Sequence, residues 1–525
     1  MKKLLFLFLL LAGDRGSFAQ AVNTNISNES FFGGEPYIAI NPNNNQNLVV
    51  AWMSIQFSSG SFRVAIKTRA SFDGGRTWGA PGLLPHFGTA YGSADVSMAF
   101  GKNGTLYLAY IDYRQSPDSG GIYVSRSTNG GSSWDTPSKA FDMYDDPNKR
   151  PIDRPWLVVD NSSTSNAGTL YITTKPAPWI PAPNRNYFKV SSDGGFTWTA
   201  IANVDGGTHL VGNYIAAPMA APSTTVNGNF LAAYPSYVPS QHLLPTFYLA
   251  KSIDKGQNFS YTTMIADTVQ KLDSNLKGGY RLIASPADSN RMAFITPQAK
   301  NGDADVFALH SNDGGISWSS RTRVNDDATG NGKDQDLVWA DYNEQGKLIV
   351  TWRDRRNAAT NGFWNADYDF YYATSTDNGQ SFSPNQLLTG QLIPFDSLTA
   401  ENGNDFMSCV YTGDTLCTAW GDTRNGKMNI YFSKTVVSTN TGIGFSQLDG
   451  EESLFSVFPN PVINQLNVQV DQKLIGKQLA VYDTEGKRVY TQTLSNRNVQ
   501  LKTSQWTSGF YVLKIGDEML RVIKE

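Results

Sequence analysis

Three short segments each carry an aromatic residue, an aspartate two places on and an arginine two places beyond that. They are Tyr110-Ile-Asp112-Tyr-Arg114, Trp352-Arg-Asp354-Arg-Arg356 and Trp420-Gly-Asp422-Thr-Arg424. In extended chain, side chains two apart share a side, so each Asp lies beside its Arg. One reading is structural: the two charges satisfy each other and tie loops together, and a buried pair is weak evidence for function by itself. The other is a polar pocket. Arginine grips carboxylate or sulfate through two parallel hydrogen bonds, while the carboxylates bind sugar hydroxyls, hold a calcium ion or move protons. Asp153 and Arg154 form a further charged pair, and Glu35, Asp95, Asp334, Asp336 and Asp405 stand at comparable places ahead of apolar runs. The catalytic candidates are therefore Asp354, Arg356, Asp422, Arg424, Asp112, Arg114, Asp153 and Arg154. Trp179, Trp364 and Tyr237, in variable loops, offer rings that stack on sugars, and Arg281 offers a further cation.

Other chemistry is thinner. The four histidines, His86, His209, His242 and His310, are weak candidates for a base, with His310 reading as structural. Asn301-Gly-Asp303-Ala-Asp305, Asp145-Asp146 and Asp326-Asp327 are acidic turns, and none has the full spacing of a calcium loop. Calcium stays open as a cofactor, and no other cofactor is implied. Cys409 and Cys417 flank the turn Thr412-Gly-Asp-Thr415. A disulfide across that hairpin and two buried thiols are equally compatible with the sequence.

The elements that must position these groups repeat. Ser-x-Asp-x-Gly-x-Ser/Thr-aromatic occurs at Ser71–Trp78, Ser127–Trp134, Ser191–Trp198, Ser252–Phe259, Ser311–Trp318 and Ser375–Phe382, with Asn129 and Asn258 as departures. The Asp or Asn positions 73, 129, 193, 254, 313 and 377 are spaced by 56 to 64 residues, which marks an array of equal units. Asp bonds its own following backbone N–H groups and Gly accepts positive φ, so the motif is a turn. Its aromatic end plugs the space between neighbouring sheets. Short runs rich in aromatic and β-branched residues, such as Val306–His310 and Tyr368–Ala373, flank it and read as strands.

This pattern resembles the Asp-box, or bacterial neuraminidase repeat, of the sialidase-like β-propellers. The resemblance implies a ring of four-stranded blades whose first strands line a channel, with the repeat turns on the face away from the substrate. A seventh set of strands without the motif follows at Phe406–Val410, Leu416–Trp420 and Asn429–Ser433. The fold expected is all-β: a seven-bladed β-propeller (six blades as the alternative) followed by a small β-sandwich. Ala21–Phe32 is placed to close the ring. Sialidases of this family use three arginines, an acidic proton donor and a tyrosine–glutamate pair. Here the early Phe/Tyr-Arg-Ile-Pro motif is replaced by Gly34-Glu-Pro-Tyr37. Arg281, Arg356, Arg424 and Glu401 could serve, but no Tyr/Glu pair assembles.

Residues 1–19 read as a signal peptide: Lys2-Lys3, the apolar run Leu4–Ala12 and a Ser17-Phe-Ala19 cleavage site. Residues 20–450 are the propeller, and 451–525 a separate C-terminal unit. Phe458-Pro-Asn-Pro461, Tyr482-Asp-x-x-Gly-Lys487 and Gly509-Phe-Tyr-Val512 resemble the C-terminal sorting domain of Bacteroidetes type nine secretion substrates. That implies the type nine secretion machinery as a partner, and a protein released or attached at the outer surface of the outer membrane. With net charge −3 and no basic cluster, a nucleic-acid partner is not expected. No later run is long enough to span a membrane, and a monomer is expected. The functions these residues fit are a glycan-active hydrolase or lyase of acidic polysaccharides, a non-catalytic glycan- or protein-binding propeller, and a sialidase proper.

Overall fold

A computed structural model describes residues 22–58, 60–88, 90–114, 119–146, 151–177, 180, 184–215, 218–241, 244–266, 279–300, 302–360, 366–395, 404–437, 455–458, 462–483, 487–516 and 518–524. The signal region, Trp179, Trp364, Glu401, His242 and Asn301 lie outside these residues. The described chain divides into two units, Met1–Val437 and Ser438–Glu525.

In the first unit the described residues form seven antiparallel four-stranded sheets. Sheet 1 is Gly33–Asn41, Asn44–Ser58, Ser61–Ser71 and Gly82–Leu83. Sheet 2 is Tyr91–Phe100, Leu106–Arg114, Gly120–Ser127 and Ser138–Asp142. Sheets 3 to 6 repeat this order, opening on Ile152–Val159, Ala221–Thr224, Arg281–Ala284 and Gln335–Tyr342. Sheet 7 takes Ser408–Thr412, Thr415–Asp422 and Asn429–Val436 from the end of the unit, and its outer strand, Asn23–Asn25, from the beginning. The first strands touch their neighbours in sequence from sheet 1 to sheet 7, and sheet 7 touches sheet 1. Ser408 Oγ accepts from Ile38 N at 2.8 Å across that closing seam. The architecture is propeller-like, around a central channel lined by first strands.

The six repeat copies form one turn. Ser311 Oγ donates to Asp313 at 2.8 Å and accepts from Gly315 N at 2.9 Å, while Ser317 N donates to Asp313 at 2.9 Å. The same bonds recur at Asp73, Asp193, Asp254 and Asp377, and Asn129 substitutes with its amide. The motif's aromatic packs against the preceding sheet: Trp78 lies 5.0 Å edge-on from Phe432 of sheet 7, and Trp134 Nε1 donates to Thr68 of sheet 1 at 3.2 Å. Gly75 and Gly315 have φ of 84° and 89°, and a Cβ there would sit 2.5 Å from Phe432 or 2.4 Å from Leu249, so only glycine fits.

The hairpin cysteines do not meet. Cys409 is opposite Thr418, and Cys417 is opposite Val410. Adjacent register positions point to opposite faces. Both thiols are free and buried, and they belong to different apolar clusters. Of the two alternatives the sequence left open, the disulfide is therefore excluded.

The C-terminal unit has a three-stranded sheet (Phe455–Phe458, Gln465–Val470, Asn498–Lys502) and a four-stranded sheet (Gln478–Tyr482, Arg488–Thr493, Gly509–Ile515, Glu518–Lys524). Leu466, Val468 and Leu501 of one and Leu479, Val481, Leu513 and Ile515 of the other share one buried core, which follows from alternation of apolar and polar residues along each strand.

Candidate functional site at the channel mouth

Four first strands carry the same irregularity. The register slips between Gly34 and Tyr37, Ala94 and Ser97, Asp153 and Trp156, and Asp336 and Trp339, so two residues oppose one on the neighbouring strand. Each bulge puts a non-glycine residue in the left-handed region: Glu35 at φ 52°, Asp95 at 49°, Arg154 at 54° and Leu337 at 49°. Such a conformation costs on the order of 1–3 kcal/mol and clusters at binding and catalytic sites. Bulges re-aim side chains, and here three of the four re-aimed residues are charged.

They converge. Arg154 pairs with Asp405, which shortly precedes the first strand of sheet 7, and lies against the Phe406 ring with 5.9 Å to its centroid. Burial opposes the Arg154 charge, but the carboxylates around it, Asp405 first and then Glu35 and Asp153, outweigh it and hold the guanidinium ionised. Lys175, at the end of the second strand of sheet 3, donates to Asp153 at 2.6 Å. Asp95 and Asp153 are hydrogen-bonded to each other. Burial, then the charges of Asp153 and Glu35, push Asp95 well above the usual carboxylate range. Asp153 goes the other way. Its burial is overcome by Lys175, the Asp95 hydrogen bond and Arg154, which keep it below that range. The proton of the pair therefore sits on Asp95. Two like groups with their proton affinities driven apart are the arrangement that supplies an acid and a base at one pH. Glu35, Asp95 and Asp153 are 2 %, 8 % and 9 % exposed, whereas the Arg154 and Asp405 side chains are 22 % and 29 % exposed. The ion pair is thus the part of the cluster that solvent reaches.

Beside it lies a second buried group. Arg353 grips Asp336 at 2.7 and 2.6 Å, and Arg355 reaches the same carboxylate at 3.2 Å. All three are at most 2 % exposed, and their mutual pairing leaves this group closed.

The three aromatic-x-Asp-x-Arg segments do not converge on one point. Asp354 accepts from Trp352 Nε1 at 2.8 Å and from Arg356 N, Nε and Nη2 at 2.8, 3.0 and 2.8 Å. Asp422 does the same with Trp420 and Arg424, and Arg424 reaches Asn23 of the closing strand at 3.2 Å. Each closes the end of a second strand, and Arg356 ties its bracket further to Asp326 at 2.6 Å and Asn385 at 2.8 Å. Asp112 departs from this: it bonds His86 at 2.9 Å, Ser93 Oγ at 2.7 Å and Phe87 N at 2.6 Å, while Arg114 is exposed at its strand end. Tyr237 is half-buried with its ring 5.3 Å from Tyr214. Arg281 lies deeper in the channel, against Trp339 and Trp156. Among the nominated residues, Asp153 and Arg154 alone enter the mouth cluster. Lys175 was missed, although a lone cation ending the apolar run Leu170–Thr174 is a sequence signal.

The acidic turns are occupied by protein partners. Asp303 accepts from Gly332 N at 2.9 Å, Asp305 from Arg323 at 2.7 Å, and Asp326 from Arg356 at 2.6 Å. Among the described residues, no three or more His, Cys, Asp or Glu are grouped to hold a metal ion. His209 stacks on Tyr261 at 4.6 Å, and burial lowers the pKa of both His209 and His310.

Residues 456–525 match the family model of the secretion system C-terminal sorting domain. The chain thus carries a sorting domain consistent with export, and no helix of the described residues is long and apolar enough to cross a membrane. A search of curated proteins finds no match. Among solved structures, the chain is similar to the α-L-arabinofuranosidase Arb93A of Fusarium graminearum, at 13 % identity over 80 % of this chain and 99 % of that one, TM-score 0.42. It is also similar to the α-L-arabinanase of Penicillium chrysogenum, at 13 % identity over 79 % and 98 %, TM-score 0.43. A protein of unknown function from Dyadobacter fermentans is similar at 14 % identity over 78 % and 98 %, TM-score 0.40.

Proposed function

We propose that this chain is an exported, glycan-active protein that cleaves an acidic polysaccharide at the channel mouth. In this reading its first unit is a seven-bladed propeller built on Asp-box repeats, and its sorting domain directs it through the type nine machinery to release or to the outer surface. The observation that carries the proposal is the hydrogen-bonded Asp95–Asp153 pair beside Arg154. Arg154 and Lys175 attract the carboxylate or sulfate of the sugar, and Asp95 delivers its proton to the glycosidic oxygen. Two carboxyls in direct hydrogen bond are closer than the ~5 Å that separates the paired carboxylates of glycosidases. The pair therefore acts as one acid with an ionised partner. As the glycosidic C–O bond breaks, a water adds to the anomeric carbon and gives its proton to Asp405, freed when the substrate anion takes over Arg154, or to Glu35.

A second reading is a binding module without catalysis. It is favoured by the pairing of Arg154 with Asp405 and of Lys175 with Asp153, which leaves the mouth electrically satisfied in the absence of ligand. Incubating the full chain with uronic-acid, sulfated and sialylated polymers separates the two. Released reducing ends or unsaturated uronides support cleavage. Binding without product supports the module, and neither outcome on any polymer removes both.

A further inference from the structure

Below the mouth, the channel is crossed by a layer of rings. Trp339 lies 5.3 Å from Tyr37, 5.9 Å from Trp156 and 6.3 Å from Phe406. Arg281, on the first strand of sheet 5, belongs to the same layer. Its Cζ is 4.3 Å from the Trp339 ring and 5.5 Å from the Trp156 ring. On the far side of this layer is a cavity of about 200 Å³, lined by Arg281, Asp341 and Cys409 among others, and reaching Pro42, Phe100 and Asn161 at the opposite ends of the first strands. That is the volume of about six waters.

Arg281 is half-buried, with its Nε enclosed, and differs from the other cations around the channel. Arg154, Lys175, Arg353 and Arg355 each have a carboxylate within ion-pair distance. Among the described residues Arg281 has neither an ion pair nor a hydrogen bond, and its Nε is fully buried without an acceptor. The two indoles compensate part of its desolvation but accept none of its five N–H groups. The other charged group on the cavity wall is Asp341, whose oxygens accept from Tyr342 N and Tyr411 N, both at 2.9 Å. Burial pushes that carboxyl up to about 7, although Arg281 draws it down. Asn161 is spent on Phe100 O at 2.9 Å and Lys102 N at 2.7 Å. The cavity wall thus includes one planar guanidinium that has no ion pair or hydrogen bond among the described residues.

We infer that this cavity is a second ligand site, distinct from the mouth, which binds a small oxyanion (a carboxylate, sulfate or phosphate group) against Arg281. The planar fork of Arg281 matches two oxygens of such a group, and the Trp339 and Trp156 rings fix its plane. This site does not depend on the reading of the mouth, because the ring layer stands between them.

The test is thermal melting of the full chain against sodium sulfate, sodium phosphate and sodium acetate, each at constant ionic strength balanced with chloride. The melting temperature of the native chain is expected to rise saturably with at least one anion, and the arm that responds identifies the ligand's geometry. In Arg281→Gln the apparent affinity is expected to fall at least about tenfold, the loss of a charge-assisted hydrogen bond, while Arg154→Lys retains the response. Equal responses in the native chain and Arg281→Gln, or no saturable response to any anion, overturn the inference. If Arg281→Gln does not fold, crystals of the native chain soaked in selenate decide. Anomalous density within hydrogen-bond distance of Arg281 upholds the site, and a cavity holding water alone refutes it.

Discussion

Arg154 and Asp405 lie 251 residues apart in sequence and meet in an ion pair at the mouth of the channel. That contact joins sheet 3 to the segment opening sheet 7, and it is the most exposed charge pair of the central cluster. It is also the pair that a polyanion would have to open. Arg154→Lys keeps the charge and loses the two-pronged grip. It is expected to weaken binding of an acidic polysaccharide about tenfold or more, measured by titration calorimetry, with little effect on a neutral glycan. An equal loss for both polymers would place Arg154 outside recognition.

The pH dependence follows from the two shifted carboxyls. Asp95 is raised, so the folded protein holds its proton above the ordinary carboxylate value near 3.8. Its contribution to stability is complete below that value and is lost as pH rises through its raised folded pKa. Asp153 is lowered, so its contribution is present above 3.8 and is lost as pH falls through its folded value. Activity that needs neutral Asp95 and ionised Asp153 is expected to have its alkaline limb above the carboxylate range, read from kcat/KM against pH. An alkaline limb near 4 would show that Asp95 is not the acid.

The Trp-x-Asp-x-Arg brackets are expected to act on stability and not on chemistry. Asp354 is buried, and removing it strands the indole N–H of Trp352. Asp354→Ala is expected to cost about 1–3 kcal/mol for the unsatisfied donor, seen as a lower urea midpoint, with kcat/KM preserved at a temperature where the variant is folded. A specific loss of turnover with unchanged stability would return Asp354 to the candidate active residues.

In the repeat turns the buried serine is expected to carry more of the energy than the half-buried aspartate. Ser311 Oγ is the acceptor for the buried Gly315 N–H. Ser311→Ala is expected to destabilise by about 1–3 kcal/mol in urea unfolding. Asp313→Asn should be better tolerated, because Asn129 already closes the same turn. Hydrogen bonds from Ser317 hold the Asp313 carboxyl down at about 2. Acid weakening by this group is therefore expected only as pH falls from 3.8 toward 2.

Burial pushes the Cys417 thiol up to about 12 and Cys409 up as well. Neither is reactive when folded. Thiol titration is expected to find no reactive group in the native protein and two after denaturation without reductant. A melting temperature lowered by reductant would contradict the register that separates them.

Much of the scaffold was legible because its signals are local. The Asp-x-Gly turns, their spacing and the alternating apolar runs name the sheets before any coordinates, and Ala21–Phe32 reads as the closing strand because it has no partner nearby in sequence. The site was less legible. First strands read from the sequence begin at Pro36, Val96 and Pro155, where the apolar runs begin. In the structure they start at Gly33, Tyr91 and Ile152, pass through a bulge, and turn Glu35, Asp95 and Arg154 inward. A left-handed residue in a strand leaves no mark in composition. Nor does spacing reveal which of several Asp–Arg neighbours will close on themselves. Asp354–Arg356 does so, whereas Arg154 leaves its neighbour Asp153 to Lys175 and reaches Asp405.

Turnover of the full chain against its Asp95→Asn variant tests whether Asp95 is the acid of a glycan-cleaving mouth. The amide keeps a hydrogen-bond donor toward Asp153 while removing the proton to be transferred. On the acidic polymer that the native chain degrades best, kcat is expected to fall at least about 100-fold, with KM and melting temperature little changed. Retained kcat in a folded Asp95→Asn variant would contradict the claim, as would the absence of any product from the native chain across uronic-acid, sulfated and sialylated polymers.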